Sequence, residues 1–389
     1  MSDLKDYDIS LRTGFAPERV SDKLPGDYFA EWEAAARSLP KWSQERRVRE
    51  NIDALPDREF TTATLGTDEA DWRWAYVVVS FLAQAYITED SNRELVQRLP
   101  PKLSIPWQAT SSHIGVLPAA TYAAIVMYNY VLKDPSKPIA PENLQASLTF
   151  TGTSEESWFF MVHILEEAGA APGLQAIMNG YKAMKSNDNK SVVTCLETIT
   201  QSLRNMRSIL KKMYEHCDPS FFYNKIRPFL SFPEGGLIYS GVSSEVQQYC
   251  SVSGAQDTAI PAFSIFLGAR HGPSEQQLVD KFKLYMPIKH RKFLQFLSDQ
   301  SASLSEYVGK CSGDTELVQK YDEAVDALVS FRTGHISLVT SYIINVKRRQ
   351  GEGVSETDRG TGGTLFMAFL KKVRDNTNRV KSTHRSGST

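Results

Sequence analysis

The sequence predicts a mainly α-helical protein, in which a smaller mixed N-terminal domain precedes a large all-helical domain. The chain has 389 residues, which exceeds the roughly 100–200 residues of an ordinary single domain. Prolines repeatedly interrupt the first part, whereas beyond residue 150 apolar residues recur at helical spacing. A polar, turn-rich segment at 133–146 separates the two parts. We therefore expect domains at 1–150 and 151–389.

The N-terminal part is predicted to hold short elements between its prolines. A short helix is expected at 28–38, and an apolar run covers 76–86. The mostly apolar stretch 114–132 is at the lower edge of membrane-spanning length, but it contains Pro118 and Asn129. We expect a buried helix in a large core there, rather than a membrane span.

The C-terminal part shows clear helical periodicity. Between 192 and 213, apolar residues at three- and four-residue steps form one stripe along a helix. Similar spacing predicts a second long helix at 325–342, with His335 on its apolar stripe. Shorter helices are expected at 274–285 and 289–298. The large domain is therefore predicted to be a helical bundle.

A charged, glycine-rich loop at 348–364 precedes a predicted amphipathic helix at 365–373. Its glycines permit unusual backbone angles and leave amides exposed. The composition is typical of a flexible connector, and the exposed amides also suit a mobile lid or an anion-contacting loop. The polar tail from Asn376 onward is expected to fray.

The composition excludes several classes of function. The 44 basic and 45 acidic residues give a net charge of −1. Proteins that bind nucleic acid or anionic membranes usually carry an excess of basic residues. The four cysteines form no CxxC pair, so neither a disulfide framework nor a zinc ribbon is expected. The first residues, MSDLKDYDIS, lack the features of a secretory signal. We expect a cytoplasmic protein with no nucleic-acid or membrane partner.

Histidines are the main candidates for chemistry. A histidine on an apolar helix face, such as His335, is often a satisfied core residue, and a proximal haem ligand has the same setting. His163 lies four residues after Phe159, so the two share a helix face. The chain has no HExxH, GxSxG or P-loop motif. Local motifs alone leave the function open.

Several segments, taken together and in order, resemble the indoleamine 2,3-dioxygenase family. Their order and approximate spacing hold from about residue 6 to about residue 375, so the ordered set is specific although each piece is weak. The segments are FRTGH at 331–335, LVT at 338–340, GTGGT at 360–364, YMP at 285–287 with His290 and Arg291, Asp6-Tyr7, GFA at 14–16 and GGLIYSGV at 235–242.

The resemblance implies a large all-helical domain that binds haem b beneath a small N-terminal domain. It also implies a reaction that inserts both atoms of molecular oxygen across the indole C2–C3 bond of L-tryptophan or a related indoleamine. The product would be N-formylkynurenine, in the first step of the kynurenine pathway of tryptophan catabolism. An electron donor that reduces the haem, and a monomeric state, follow from the same resemblance.

The resemblance assigns the haem side of the site residue by residue. His335 matches the proximal ligand of the iron, and Arg332 matches a family arginine below the haem. The family commonly pairs this arginine with an aspartate, where this chain has Ser264. The loop over the distal haem face contains Ser253, assigned a catalytic role, and Gly254, assigned to cofactor binding.

The resemblance also assigns the substrate side. Phe222 matches an aromatic wall, and Arg227 matches the arginine that binds the substrate carboxylate, a task that suits a planar guanidinium. Thr361 matches a loop threonine that closes over the amino-acid end of the substrate. The deep indole pocket is assigned to Tyr122, Ile125, Val126 and Phe159.

Two residues depart from the family pattern. His163, to which we assign a catalytic role, stands where the animal enzymes have serine and the related tryptophan 2,3-dioxygenases have histidine. A neutral imidazole can accept the indole N–H or hydrogen-bond to oxygen. Val252 stands where glycine is usual. Two alternatives therefore stay open: an indole monooxygenase or peroxygenase that uses His163, or a catalytically weak haem-binding regulatory protein.

Overall fold

Helices make up most of the structure, a computed structural model that describes residues 3–27, 29–57, 65–89, 96–300, 303–351 and 366–381. The predicted mainly α fold is confirmed. The α-helices of these ranges are α1 (Ala30–Glu45), α2 (Val48–Asp53), α3 (Glu69–Thr88), α4 (Pro101–Ile114), α5 (Ser154–Lys185), α6 (Asn189–Lys211), α7 (Met213–His216), α8 (Pro219–Phe221), α9 (Ala259–Phe266), α10 (Pro273–Lys283), α11 (Ile288–Ser298), α12 (Leu304–Lys310), α13 (Thr315–Val339), α14 (Asn345–Arg349) and α15 (Phe366–Arg379).

Short strands form two small sheets. The strands are β1 (Arg98–Leu99), β2 (Tyr130–Leu132), β3 (Leu144–Ala146), β4 (Leu237–Tyr239) and β5 (Val246–Gln247). β2 and β3 form an antiparallel pair in which Tyr130 faces Ala146. β4 lies between β1 and β5, parallel to β1 and antiparallel to β5. A strand from beyond residue 150 thus pairs with one before it, and the division of the chain at residue 150 stays a prediction.

The helices predicted from periodicity are present. α6 covers the stripe at 192–213 to within two residues, and α13 with the π turn after it covers 325–342. α10 and α11 match the two shorter predictions, α1 overlaps the short helix predicted at 28–38, and the apolar run at 76–86 lies within α3. The long predicted helices α6 and α13 carry one regular apolar face each, which is the pattern that a 3.6-residue period reveals.

The long helix α5 is central to the packing. The Thr153 side chain accepts the Glu156 backbone N–H at 3.3 Å and so caps the first turn. α5 packs along α6 and against α9, α6 packs against α13, and α13 packs against α15. Buried apolar residues of α5, α6, α9 and α13 belong to one core cluster. The residues of α5 and α13 that face inward are thereby held on rigid elements.

The prediction of one buried helix at 114–132 is wrong in its secondary structure. α4 ends at Ile114, because Gly115 has a left-handed backbone with φ +76°. The chain then forms a π-helical turn at Ala123–Met127 and enters β2. The Asn129 amide donates to the Ile125 and Leu148 carbonyls at 3.1 and 3.0 Å. The segment is buried as expected, and none of the described helices is long and apolar enough to cross a membrane.

The prediction that the tail frays from Asn376 is wrong for its first residues. α15 continues to Arg379, and Thr377 is fully buried. The Thr377 hydroxyl donates to the Val373 carbonyl at 2.8 Å, and Lys381 forms an ion pair with Asp326 of α13 at 2.6 Å. Tertiary packing therefore orders a segment whose composition is polar.

The N-terminal segment is fastened to two helices by charge and by aromatic packing. The Asp8 carboxylate accepts from Arg73 of α3 and from Lys289 of α11, each at 3.0 Å. The Phe15 ring lies edge-on to the buried His290 ring at 4.8 Å. Two of the family-like pieces of sequence, those that contain Phe15 and His290, therefore meet at this contact.

Gly14 lets the N-terminal segment approach α5. Its φ is +64°, and a Cβ built on it would lie inside contact distance of the Glu167 backbone oxygen. Gly26 has a similar φ of +67°, but a Cβ there would meet nothing within 4 Å. The two glycines therefore separate the effect of backbone strain from the effect of close packing.

We expect Gly14→Ala to destabilise the protein more than Gly26→Ala. Both variants place alanine in the left-handed region, at a cost of about 1–2 kcal/mol. Gly14→Ala additionally forces apart the backbone contact with α5, at a cost of about 1–3 kcal/mol. Urea unfolding followed by circular dichroism measures both. Equal losses of unfolding free energy would show that the close contact with Glu167 does not exist.

Candidate active site

The predicted site residues converge on one cavity. The cavity has a volume of about 440 Å³ and lies among α5, α6, α9, α13 and α15. Thr361 falls outside the described residues, so its predicted role stays a prediction. The other predicted site residues all line this cavity: Tyr122, Ile125, Val126, Phe159, His163, Phe222, Arg227, Ser253, Gly254, Arg332 and His335.

Three π-helical turns border the cavity. They span Ala123–Met127, Phe222–Ile226 and Thr340–Ile344, and each supplies side chains to the cavity wall. A π turn inserts an extra residue into the helical repeat, which turns side chains toward a site they would otherwise miss. Tyr342, from the third turn, is anchored because its hydroxyl donates to the Cys217 carbonyl at 2.6 Å.

His335 presents an imidazole to the cavity from α13. Burial, with His163 and Arg332 nearby, lowers the pKa of His335 to about 4. The ring is therefore neutral at pH 7, the form in which histidine binds metals. Among the described residues its side chain has no hydrogen-bond partner, so nothing described competes for its nitrogen lone pair.

Arg332, one turn before His335, is a buried cation with neutral partners. One terminal nitrogen donates to the Ser264 hydroxyl at 2.6 Å and the other to the Val373 carbonyl at 2.9 Å. Its Nε has no partner within the described part of the chain. Burial lowers the pKa of Arg332 to about 10, so the guanidinium stays charged at neutral pH. Where the family commonly has a carboxylate, this arginine has a hydroxyl.

His163 is held in one tautomer by its own helix. Its Nδ1 lies 2.7 Å from the Phe159 carbonyl, and because a carbonyl only accepts, Nδ1 must carry the proton. Burial lowers the pKa of His163, so the ring is neutral and Nε2 is left as a hydrogen-bond acceptor. The cavity wall therefore contains a fixed acceptor on α5.

Aromatic rings surround His163. The Phe159 ring centroid lies 4.8 Å from the rings of both His163 and Phe222, and the Tyr122 ring lies 6.0 Å from His163 in an edge contact. Ile125 and Val126 add aliphatic surface to the same wall. A wall of aromatic and aliphatic side chains suits an apolar aromatic ligand such as an indole.

Arg227 brings a second guanidinium to the cavity. It follows directly after the π turn that carries Phe222, and it lies over the Tyr223 ring at 5.3 Å. Its buried Nε has no hydrogen-bond partner, and it forms no ion pair with any residue that the structure describes. A charged fork without a carboxylate partner suits an anionic ligand.

The loop that carries Ser253 and Gly254 is tied to the aromatic wall. The Ser253 hydroxyl accepts the Ala255 N–H at 3.2 Å and caps a short 3₁₀ turn. The Gln256 side chain accepts the Tyr122 N–H at 2.9 Å and donates to the Ser251 carbonyl at 3.1 Å. Gln256 thus fixes the spacing between this loop and the predicted indole pocket.

Comparison with known sequences decides the family. A sequence model described as "Indoleamine 2,3-dioxygenase" matches residues 3–380. The chain belongs to the indoleamine 2,3-dioxygenase family. The resemblance seen in the sequence is confirmed.

Relatives from animals and fungi match along almost the whole chain. "Indoleamine 2,3-dioxygenase 2" of Homo sapiens is 30% identical, over 96% of this chain and 94% of its own length. "Indoleamine 2,3-dioxygenase acdA" of Aspergillus candidus is 32% identical, over 96% of each chain. "Indoleamine 2,3-dioxygenase" of Saccharomyces cerevisiae is 31% identical, over 96% of this chain and 92% of its own length.

Sequence reasoning missed several residues in this member of the indoleamine 2,3-dioxygenase family. Glu166, Glu167 and Asp257 line the cavity although nothing singled them out. An adjacent acidic pair inside the apolar stretch of α5 was the available signal. Phe369, Leu370 and Val373 also line the cavity, and the amphipathic pattern of α15 did not reveal which site its apolar face covers.

Proposed function

We propose that this chain is a haem-dependent dioxygenase that inserts both atoms of O₂ across the indole C2–C3 bond of L-tryptophan and yields N-formylkynurenine. The observation that carries the proposal is the meeting of four features in one cavity. These features are the unpartnered imidazole of His335, the unpaired guanidinium of Arg227, the aromatic wall and the acceptor of His163. The relatives reported above are named indoleamine 2,3-dioxygenases, which supports the same reaction.

The residues present fit haem b. His335 offers a neutral imidazole without a competing hydrogen bond, which is the form in which histidine would bind the iron. Arg332 is a buried cation without a carboxylate partner among the described residues, and its Nε is unsatisfied. The two carboxylates of haem b would offset such a charge. His335 and Arg332 would therefore hold the group, which supplies the iron that activates oxygen when bound.

Arg227 binds and orients the substrate through its carboxylate. Two parallel N–H donors meet two carboxylate oxygens, so the contact fixes direction as well as affinity. The Tyr223 ring supports the guanidinium from one side. The indole is thereby directed toward the aromatic wall.

The wall holds the indole and excludes water. Phe159, Phe222 and Tyr122 surround a slot in which His163 is the neutral acceptor. The Nε2 of His163 accepts the indole N–H, since its Nδ1 proton is engaged with the Phe159 carbonyl. Ser253 and Gly254 close the loop side of the same cavity.

The proposal also covers the location of the enzyme, its oligomeric state, its electron donor and the role of Thr361. The chain acts as a cytoplasmic monomer, in which a separate electron donor keeps the haem reduced. Thr361 closes over the amino-acid end of the substrate. The even charge balance of the chain supports a small zwitterionic substrate rather than a polyanionic partner.

The reaction is tested with labelled oxygen. Reduced, haem-loaded protein incubated with L-tryptophan and ¹⁸O₂ is expected to give N-formylkynurenine that carries two heavy oxygen atoms, read by mass spectrometry of the intact product. Incorporation of one heavy atom would instead establish the monooxygenase alternative. A haem spectrum without tryptophan-dependent oxygen uptake would establish the regulatory alternative.

Arg227→Ala is expected to weaken binding of L-tryptophan by about 10- to 150-fold, because a charge-assisted contact of roughly 1.5–3 kcal/mol is lost. Calorimetric titration measures the affinity. Tryptamine, which lacks the carboxylate, serves as the matched ligand and should bind the variant and the wild type alike. An equal loss for both ligands would assign Arg227 a structural role.

His163→Ser is expected to improve the relative use of tryptophan methylated at the indole nitrogen, by roughly fivefold, since one neutral hydrogen bond contributes about 1 kcal/mol. The readout is the kcat/KM of the methylated substrate divided by that of L-tryptophan. If the wild type already uses both equally well, His163 does not accept the indole N–H.

A further inference from the structure

A group of acidic side chains lies in the cavity wall beside the predicted indole pocket. Glu166 and Glu167 follow His163 by about one turn of α5, and Asp257 follows the Ser253 loop. The two glutamates are 8% and 2% exposed. The Tyr122 hydroxyl donates to Glu167 Oε1 at 3.1 Å, so the group touches the pocket wall directly.

Within this group, Asp257 and Glu167 have partners and Glu166 does not. The Asp257 carboxylate accepts the N–H groups of Ala259 and Ile260, each at 3.0 Å, at the start of α9. Glu167 accepts the Tyr122 hydroxyl at Oε1, and its Oε2 has no hydrogen-bond partner among the described residues. Neither oxygen of Glu166 has a hydrogen-bond partner among the described residues, and its Oε1 is completely buried.

Burial disfavours the ionised form of the Glu166 carboxyl. Burial, reinforced by the nearby charge of Asp257, raises the pKa of Glu166 well above its ordinary value. No described lysine, arginine or histidine forms an ion pair with it. A protonated carboxyl both donates and accepts, so its natural partner is a group that does the same.

The surroundings narrow the chemistry of that partner. An anionic substituent would be repelled by Asp257. No group of three or more His, Cys, Asp or Glu side chains in the described ranges is placed to hold a metal ion. A hydroxyl or amino group on an otherwise apolar ring meets both conditions, because Tyr122, Ile125 and Val126 line the same cavity.

We propose that Glu166 forms a specificity subsite for a hydroxyl or amino substituent on the ring of the indole substrate. The proposal rests on the proposed function, since it names the substrate class of the same site. A plain indole leaves the buried carboxyl unsatisfied, whereas a ring hydroxyl completes its hydrogen bonds. A site built to hydrogen-bond a substrate group discriminates against the analogue that lacks it.

The test compares ring-hydroxylated isomers of L-tryptophan with L-tryptophan itself through ratios of kcat/KM. For haem-loaded wild type, the kcat/KM of each ring-hydroxylated isomer of L-tryptophan is divided by that of L-tryptophan, and calorimetric affinities are measured beside it. We expect one isomer to be preferred. Glu166→Leu should lower its ratio about tenfold, the effect of one hydrogen bond to a buried group. Glu166→Gln, which still donates and accepts, should retain most of it.

A matched control separates specificity from general damage. Glu33 is also a buried glutamate, bonded to the Trp74 indole nitrogen at 2.6 Å and remote from the cavity lining. Glu33→Gln should leave the ratio unchanged. If L-tryptophan is oxidised but no isomer is preferred, or if Glu166→Leu keeps the wild-type ratio, the subsite is refuted and the proposed function stands. If no indole amino acid binds or reacts, both the subsite and the proposed function are refuted.

Discussion

Burial of ionisable groups that lack partners of opposite charge is the constraint on which the site depends. Removing a charge from water is costly unless hydrogen bonds or a counter-charge compensate. Arg332 has a hydroxyl and a carbonyl as its partners, and burial raises the pKa of the Glu166 carboxyl. A ligand that supplies the missing partner gains this free energy on binding and thereby stabilises the folded chain.

The unpaired groups are of two kinds, and they come from different elements. The cations Arg227 and Arg332 stand on the turn after Phe222 and on α13, whereas the acids stand on α5 and at the start of α9. A ligand with a carboxylate at one end is drawn to a guanidinium and repelled from the acidic wall. Charge and shape therefore favour one orientation of an amino acid with an aromatic side chain.

The cation and aromatic parts of the site were predictable, and the acidic part was not. His335 and Arg332 occur within one short family-like segment, and Phe222 and Arg227 match single family positions, so the resemblance led us to expect all four in one site. Glu166 carries no such signal, because an acidic residue in a helix is usually solvated. Its burial results from the packing of α5 against α6 and α9, which no local pattern encodes.

The fold was predictable from the sequence where a helix has one buried face, and not where a segment is apolar throughout. Long amphipathic helices such as α6 and α13 appear in the spacing of apolar residues, because each has one buried face. The stretch 114–132 is buried on all sides, so its composition is apolar whether the backbone is helical, π-helical or extended. There the backbone conformation depends on Gly115, which ends α4, and on the Asn129 amide, which satisfies the Ile125 carbonyl and also bonds the Leu148 carbonyl.

Replacement of the family's aspartate by Ser264 connects the C-terminal helix to the site. A carboxylate at this position would hold the Arg332 guanidinium in a strong pair. With a hydroxyl in its place, one terminal nitrogen of Arg332 donates to Ser264, and the other donates to the Val373 carbonyl of α15. Residues of α15 also line the cavity. The docking of α15 and the availability of the buried cation are thus set by one guanidinium, so a carboxylate ligand that engages Arg332 acts on both.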